Sequence, residues 1–239
     1  MNEKPKVAII YLSFHSERHL PDMVSSLRRL SYPKERTVLV IVDNPHPEHG
    51  HSVRAIEETV LPFAGNELPE VVVLPQKENL GFAGGNNAGI SWALEHGCEY
   101  VFLHNDDGFL AANALSPLVE AMEKDGAIGA AQSLILMHPE TTLINTTGNA
   151  FQYLGYGYCG EYRFVAKDLN LPAVKDITYA SGAAVLLRAS LLQKYGFWDH
   201  DFFMYHEDLE YSIRLRMAGY RIVMVRDSVF YHKYQFSRS

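Results

Sequence analysis

Apolar and polar residues alternate in blocks over the first half of the chain. Four short apolar runs, at residues 7–12, 37–42, 71–74 and 99–103, are continuous, as strands buried on both faces are. Segments with helical spacing of apolar residues follow them, at residues 21–30, 52–61, 83–96 and 113–124. This alternation predicts an α/β fold with a mostly parallel central sheet and helices on both faces.

The second half of the chain lacks this regular alternation. Strands are predicted at residues 128–137 and 143–151 with no helix between them, and a loop rich in glycine and tyrosine follows at residues 153–162. A helix is predicted at residues 207–217, followed by short strands at 220–225 and 229–231. We expect one domain over residues 1–239, with a smaller mixed β region in its second half.

Composition narrows the class of protein. Hydrophobic residues make up 47% of the 239 residues and charged residues 21%, which is typical of a globular domain. The net charge of −7 argues against nucleic-acid binding, which needs a basic face. The two cysteines, Cys98 and Cys159, form no CxxC pair, and no apolar run is long enough for a transmembrane helix or a signal peptide. These features predict a cytoplasmic protein.

Polar residues follow each of the four predicted strands of the first half. Open parallel sheets bind ligands at this edge, beyond the carboxyl ends of the strands. Asp and Asn also favour turns, so a single polar strand end would carry no weight, whereas four at one edge favour a site. The strand ends are Leu12-Ser13-Phe14-His15, Asp43-Asn44, the segment from Asn79, and His104-Asn105-Asp106-Asp107.

The adjacent acids Asp106 and Asp107 are the strongest chemical signal. Two carboxylates at the end of a buried strand repel each other unless a cation or a hydrogen-bond donor lies between them. Mg²⁺ and Mn²⁺ suit such oxygen ligands and commonly bridge a carboxylate to substrate phosphates. The alternative is that the two acids bind no ligand. One would then lie in a solvated turn, and the other would cap the helix predicted from Asn113.

The glycine-rich segment at residues 81–89 is neither a GxGxxG motif nor a P-loop, since GK[ST] occurs nowhere in the chain. Gly84 and Gly85 would allow close approach of the backbone to a ligand, and a tight turn explains them equally well. Later in the chain, Glu207 and Asp208 open a predicted helix, either as partners of its dipole or as a catalytic base. His232 would become a metal ligand only if the fold brings it to Asp107.

Four motifs, taken in order, resemble the inverting glycosyltransferases of family 2, which have the GT-A fold. They are IVDN at 41–44, NLGFAGGNNAGI at 79–90, NDD at 105–107, and FWDHDFFMYHEDLEYSIRLRMAGYRI at 197–222. The resemblance covers nearly the whole chain and is strongest to the branch of rhamnosyltransferases of surface-polysaccharide synthesis and galactofuranosyltransferases. It implies a metal-dependent, inverting transfer of a sugar from a nucleotide-diphosphate sugar, dTDP-rhamnose or a UDP-sugar, to a hydroxyl of a saccharide or lipid-linked saccharide. A lipid-linked acceptor would be met peripherally, at the inner face of the membrane.

The resemblance also implies roles for individual positions. Residues 1–125 would bind the donor, and residues 126–239 would bind the acceptor and carry the catalytic base. The general base would be Asp208, preceded by Glu207, and the ligands of Mg²⁺ or Mn²⁺ would be Asp107 and His232. The nucleotide sugar would contact Leu12, Ser13, Phe14, Asp43, Asn79, Gly84, Gly85, Asn86, Asn87 and Asp106. The sugar and acceptor pocket would be shaped by Ser181, Gly182, Trp198 and Asp199.

Two departures from the family pattern leave the identity of the base open. Phe14-His15 stands where the family usually has Tyr-Asn, and Pro-His-Pro-Glu at 45–48 stands where Gly-Ser-x-Asp is common. A sugar nucleotidyltransferase is an alternative, but it would normally carry an early glycine-rich loop with Arg and Lys, which LSFHSERHL lacks. A catalytically inactive nucleotide-sugar-binding scaffold is another alternative, and the retained Asp106, Asp107, Asp208 and His232 argue against it.

Overall fold

The computed structural model describes residues 3–233. In the first half, strands β1 (Val7–Ser13), β2 (Thr37–Asp43), β3 (Glu70–Pro75), β4 (Tyr100–Asn105) and β5 (Gly108–Leu110) are interspersed with helices α1 (Leu20–Arg28), α2 (Val53–Thr59), α3 (Gly81–Glu95) and α4 (Leu115–Lys124). The second half contains β6 (Ile128–Met137), β7 (Ile144–Thr146), β8 (Asn149–Phe151), β9 (Gly157–Cys159), β10 (Val174–Asp176), β11 (Ala184–Arg188), α5 (Ala189–Tyr195), α6 (Glu207–Met217) and β12 (Arg221–His232).

Ten of these strands form one sheet, whose main path runs β10-β12-β6-β11-β4-β1-β2-β3. Strands β4, β1, β2 and β3 are mutually parallel, and β12 is parallel to β6. Strand β11 runs antiparallel to both of its neighbours, β4 and β6, and so joins the two parallel groups. The second-half strands therefore extend the central sheet, while β8 and β9 form a small antiparallel hairpin of their own.

Two hydrophobic cores lie on opposite faces of the sheet. Along β1, Ile9 and Tyr11 face one core and Ile10 and Leu12 face the other, as the two-residue repeat of a strand requires. Helices α1, α2 and α4 bury residues such as Leu27 in the first core. Helices α3, α5 and α6 cover the second core, so the prediction of helices on both faces is confirmed.

Helix α3 carries glycines on the side that packs against the sheet, which leaves no room for a larger side chain there. A β-carbon added at Gly89 would lie 2.6 Å from Ile10 Cγ2, and one at Gly85 would lie 2.4 Å from Leu12 Cδ1. The glycine-rich segment therefore lets the helix approach β1, just below the edge where polar residues gather.

The structure departs from the sequence prediction mainly in the second half. The two strands predicted near the C-terminus are one strand, β12, whose register shifts between Val225 and Val229. The single strand predicted at 143–151 is divided, because Gly148 adopts a left-handed φ of 115° between β7 and β8. Among the described residues, the helices are too short or too polar to cross a bilayer.

Candidate functional site

Segments from both halves of the chain meet at the carboxyl edge of the parallel strands and enclose a cleft of about 470 Å³. This volume is in the range of small-molecule binding sites. The residues predicted from the sequence that line it are Leu12, Phe14, Asn79, Asp106, Asp107, Ser181, Gly182, Glu207, Asp208 and His232. The sheet therefore brings together the acids that follow β4, the acids at the start of α6 and the histidine at the end of β12.

Asp107 and His232, 125 residues apart in sequence, are in direct contact. His232 Nε2 lies 2.9 Å from Asp107 Oδ1, and the side-chain amide of Asn105 donates to the same oxygen at 2.6 Å. The pairing of β5 with β12 sets this contact, because it places Gly108 opposite His232. On the other side of the ring, His232 Nδ1 lies 3.2 Å from Asn145 Oδ1, an acceptor.

These contacts fit a divalent cation. The Asn145 oxygen accepts a hydrogen bond from His232 Nδ1, so a cation could replace the hydrogen bond between His232 Nε2 and Asp107 and take the Nε2 lone pair. Asp107 would supply a carboxylate oxygen, which suits Mg²⁺ or Mn²⁺, and His232 an imidazole nitrogen beside it. Asp199, His200 and Asp201 also bring ligand atoms within 4.8 Å of one another, but they lie in a surface turn outside the cleft.

The two acids that follow β4, Asp106 and Asp107, differ in their electrostatics. Burial and the nearby charge of Asp107 raise the pKa of Asp106 to about 7. Burial would also raise the pKa of Asp107, but the hydrogen bond and charge of His232 outweigh it, and the pKa is lowered. Asp107 is therefore the more firmly ionised carboxylate, and a cation bound beside the pair would favour ionisation of both.

Asp208 is held by backbone donors at the start of α6. Its Oδ2 accepts from Gly182 N at 3.1 Å and its Oδ1 from Leu209 N at 2.7 Å. The loop before β11 that supplies Gly182 is fixed in turn, because Ser181 N donates to Gln132 Oε1 at 2.7 Å. Burial raises the pKa of the Asp208 carboxyl, although these backbone donors oppose the rise. Each oxygen retains a second lone pair, so the group can accept a proton from a bound hydroxyl.

Glu207 lies beside Asp208 in a different environment. Only 4% of its surface is exposed, and its Oε2 has no hydrogen-bond partner in the described part of the chain. Burial and the charge of Asp208 raise its pKa to about 7. The helix begins after a turn in which Phe203, Tyr205 and His206 have positive φ, a costly conformation for large side chains.

Asp43 is buried behind the wall of the cleft. Its carboxylate accepts from Ser13 Oγ at 3.0 Å and from Ser52 N at 3.0 Å, and its Oδ2 lies 2.9 Å from His51 Nδ1. These bonds join the ends of β1 and β2 to the start of α2. The structure does not bring Asp43 or Ser13 to the surface of the cleft, and a contact between either residue and a nucleotide base stays a prediction.

Other predicted residues support the cleft from behind. Gly84, Gly85 and Asn86 lie within α3 and do not line the cleft. Asn87 makes two hydrogen bonds to the backbone of Trp198, which is buried against Gly182 and Phe82. The side chain of Asp199 accepts from Asp201 N and caps a short 3₁₀ turn. In this structure these residues fix the position of the segment that leads to α6.

Some residues of the site were not predicted. Arg18 and His19 line the cleft, and the chain order could have indicated them because they follow β1 at the ligand-binding edge. Met204 and Tyr205 also line it, from the aromatic run before α6. The sequence around Asn145 offers no motif that would identify it. Its contact with His232 depends on the pairing of β7 with β6.

Comparison with known proteins gives a consistent family-level match. A sequence profile described as "Glycosyltransferase like family 2" matches residues 5–238. The "Probable glycosyltransferase YdaM" of Bacillus subtilis (strain 168) is 25% identical over 233 residues, which is 93% of this chain and 49% of that protein. The chain thus spans about half the length of this curated relative.

Solved structures share the architecture at low sequence identity. GalNAc-T7, crystallised with UDP, GalNAc and Mn²⁺, has a TM-score of 0.77 at 16% identity, covering 98% of this chain and 45% of its own. The mannosyltransferase PcManGT from Pyrobaculum calidifontis, in complex with GDP-Man and Mn²⁺, has a TM-score of 0.68 at 17% identity, covering 99% and 59%. TarS from S. aureus has a TM-score of 0.65 at 14% identity, covering 96% and 37%. These likenesses confirm the fold class predicted from the sequence.

Proposed function

The chain belongs to the glycosyltransferase-like family 2, and from this premise we propose that it transfers a sugar from a nucleotide-diphosphate sugar to an acceptor hydroxyl, with inversion at the reacting carbon. The observation that carries the proposal is the shared cleft. The Asp107–His232 pair and the buried carboxylate of Asp208 come from distant parts of the chain and line one cavity of about 470 Å³. A metal-binding pair and a positioned base are the two parts that this reaction needs.

Asp208 is the general base in this proposal. The acceptor oxygen attacks the anomeric carbon from the face opposite the leaving group, and its bond to that carbon forms as the bond to the diphosphate oxygen breaks. Asp208 takes the proton that the acceptor oxygen loses. The backbone donors Gly182 and Leu209 hold the carboxylate in place, and its raised pKa makes it a better proton acceptor than an ordinary Asp.

The donor diphosphate would lie between Asp107 and the loop after β1. Asp107 and His232 would hold Mg²⁺ or Mn²⁺, which when bound neutralises charge on the departing diphosphate. Arg18 lines the same cleft and is close enough to Asp106 to lower its pKa electrostatically, so its guanidinium can also face a phosphate. Phe14 lines the cleft with an aromatic ring, against which the nucleotide base can stack.

We further propose dTDP-rhamnose or a UDP-sugar as donor and a saccharide or lipid-linked saccharide as acceptor. The support is the resemblance of the motifs at 79–90 and 197–222 to the rhamnosyl and galactofuranosyl branch. The relatives compared above leave this choice open, since the matched glycosyltransferases were solved with UDP or with GDP-Man.

Calorimetry tests the proposal directly. The chain is titrated with UDP-sugars and dTDP-sugars, each with and without Mn²⁺. Binding of an intact nucleotide sugar that requires the metal supports transfer. Binding of nucleoside triphosphates alone would favour a nucleotidyltransferase, and binding of no nucleotide at all would leave only a scaffold. Thermal shift over a panel of nucleotide sugars then identifies the donor, because a ligand of the native state raises the melting temperature.

A further inference from the structure

An aromatic hairpin stands out on the surface of the second half. Residues 153–158, here called the tyrosine hairpin, comprise the turn after β8 and the first two residues of β9, and they expose Tyr153, Leu154, Tyr156 and Tyr158. Tyr153 is 92% exposed, and the other three exceed half. Large apolar side chains clustered on a surface usually mark a binding site, and the proposed chemistry uses none of these four.

Backbone contacts connect the tyrosine hairpin to the proposed base. Asn149, at the start of β8, exchanges two backbone hydrogen bonds of 3.1 Å with Tyr179. The Tyr179 hydroxyl fills the space above Gly157, where an added β-carbon would lie 2.1 Å from it. Three residues further on, Gly182 N donates to Asp208. The hairpin is therefore positioned by the same short segment that positions the base.

A second groove, of about 390 Å³, separates the hairpin from helix α6. Gly155 at the hairpin tip forms one side, and Phe202, Leu209 and Met217 provide apolar surface. His206, which precedes Glu207 and Asp208, contributes a polar group to the same groove. Leu209, the residue after the proposed base, also lines the groove, and the ion pair of Glu210 with Arg214 adds charged groups to its apolar lining. A sugar ring likewise has apolar faces and polar edges.

We propose that the tyrosine hairpin and this groove bind the saccharide acceptor of the transfer, with sugar rings lying against the exposed tyrosines. The inference rests on the proposed function, because it assigns the acceptor side of the same site. Continuity with the cleft carries it: the turn at residues 202–206 lines the cleft with Met204 and Tyr205, and the groove with Phe202 and His206.

A saccharide fits this surface better than a membrane does. Tyrosine offers a rigid apolar face for a sugar ring and a hydroxyl for its polar edge, at low cost in side-chain entropy. Helices and loops that bind anionic membranes carry Lys and Arg, but residues 151–162 contain none. The net charge of −7 also opposes an anionic surface.

The test measures saccharide affinity separately from donor affinity. The full chain, with UDP or dTDP and Mn²⁺ present, is applied to an array of neutral di- to hexasaccharides of hexoses, deoxyhexoses and N-acetylhexosamines. Replacing Tyr153, Tyr156 and Tyr158 together by alanine should weaken binding about tenfold or more, whereas replacing them by phenylalanine should cost about threefold or less, since the rings remain. Leu61→Ala, at an exposed apolar residue after α2 that lines neither the cleft nor the groove, is the control and should bind as the native chain does.

Each outcome decides between the proposals. Unchanged saccharide affinity in the alanine variant, or no saccharide binding by the native chain, overturns the acceptor assignment even if nucleotide sugars bind. A membrane contact replaces the acceptor assignment if the native chain binds no saccharide but sediments with phosphatidylcholine–phosphatidylglycerol vesicles, and the alanine variant does not sediment with them. If the tyrosines bind saccharides but the chain binds no nucleotide sugar, the proposed sugar transfer is wrong, and the hairpin is a saccharide-binding surface with no role in it.

Discussion

Glu207 and Asp208 are adjacent acids whose surroundings suit them to different tasks. Asp208 has both oxygens held by backbone donors, and Glu207 has an oxygen with no partner among the described residues. Neighbouring carboxylates whose environments differ in this way commonly divide the roles of ionised base and neutral acid. With a pKa of about 7, Glu207 is protonated in a substantial fraction of molecules at neutral pH, which keeps a second negative charge away from Asp208.

The first prediction concerns the base. Asp208→Asn keeps the size of the side chain and removes its ability to take a proton, so turnover should fall by about 10²–10⁴-fold. Donor affinity, measured by calorimetry, should stay within about threefold, because the proposed role of Asp208 is to take a proton from the acceptor. The exposed Asp201→Asn is the control and should retain native turnover. Near-normal turnover in Asp208→Asn would show that another group removes the proton.

The second prediction concerns stability and pH at Glu207. Its pKa rises from an ordinary 4.5 to about 7 on folding, so between these values the folded state binds more protons than the unfolded state. The free energy of unfolding therefore falls as pH rises through this window, by at most about 3 kcal/mol. Glu207→Gln removes the effect, and its stability relative to the native chain should increase between pH 5 and pH 8. Urea unfolding of both proteins at pH 5 and pH 8 measures this difference in stability. The same difference at both pH values would contradict the prediction.

At the scale of elements, helix α3 shows why a motif that resembles a ligand-binding loop also serves packing. Its glycines let the helix backbone approach β1 and β2 closely, and Asn87 on the same helix fixes the backbone of Trp198. The segment from Trp198 to α6 then carries Tyr205, Glu207 and Asp208 into the cleft. The glycine-rich segment therefore shapes the site by allowing close contact between elements.

The third prediction tests that packing. A β-carbon at Gly89 would lie 2.6 Å from Ile10 Cγ2 and 3.1 Å from Val42 Cγ2, so Gly89→Ala must move α3 away from the sheet. Overpacking of this kind costs about 1–3 kcal/mol, which exceeds the gain of about 1 kcal/mol from better helix propensity. At Gly126 an added β-carbon meets nothing within 4 Å, and Gly126→Ala should change the free energy of unfolding by less than about 0.5 kcal/mol. Equal stabilities of the two variants in urea would contradict this account.

Elements were predictable from sequence where burial was uniform. Strands β1, β2 and β4 are buried on both faces or nearly so, and they appear as unbroken apolar runs; the edge strand β3 is only partly buried but has the same apolar pattern. Strand β12 was predicted as two strands because the exposed Arg226 and Asp227 interrupt its apolar pattern. The structure keeps one strand there by shifting its register, which is a property of pairing and leaves no periodic signal.

At the scale of the whole molecule, the order of strands in the sheet creates the site. Strand β11 lies between β4 and β6, and β12 lies beyond β6. The end of β12 pairs with β5, which brings it to the end of β4. The polar ends of individual strands were visible in the sequence, and Asp106, Asp107 and Asp208 were named from them or from the family motif. The contact between Asp107 and His232 could only be a conditional prediction, because strand periodicity does not specify which distant strands become neighbours.

The last prediction follows from the meeting of the carboxyl ends of β4 and β12 at the site. A divalent ion bound by Asp107 and His232 binds the folded chain and has no such site when β4 and β12 are apart, so it should stabilise the native state. Mn²⁺ with a nucleoside diphosphate, at about 100 times its dissociation constant, should add about 2.7 kcal/mol and raise the melting temperature, and a chelator should reverse the rise. Asp107→Ala should lose the metal-dependent part of this stabilisation. Asp199→Ala, in the surface turn that also gathers ligand atoms, should keep all of it. If Asp199→Ala loses the metal-dependent rise in melting temperature and Asp107→Ala keeps it, the metal binds outside the cleft. Diphosphate binding beside Asp107 would then have no basis.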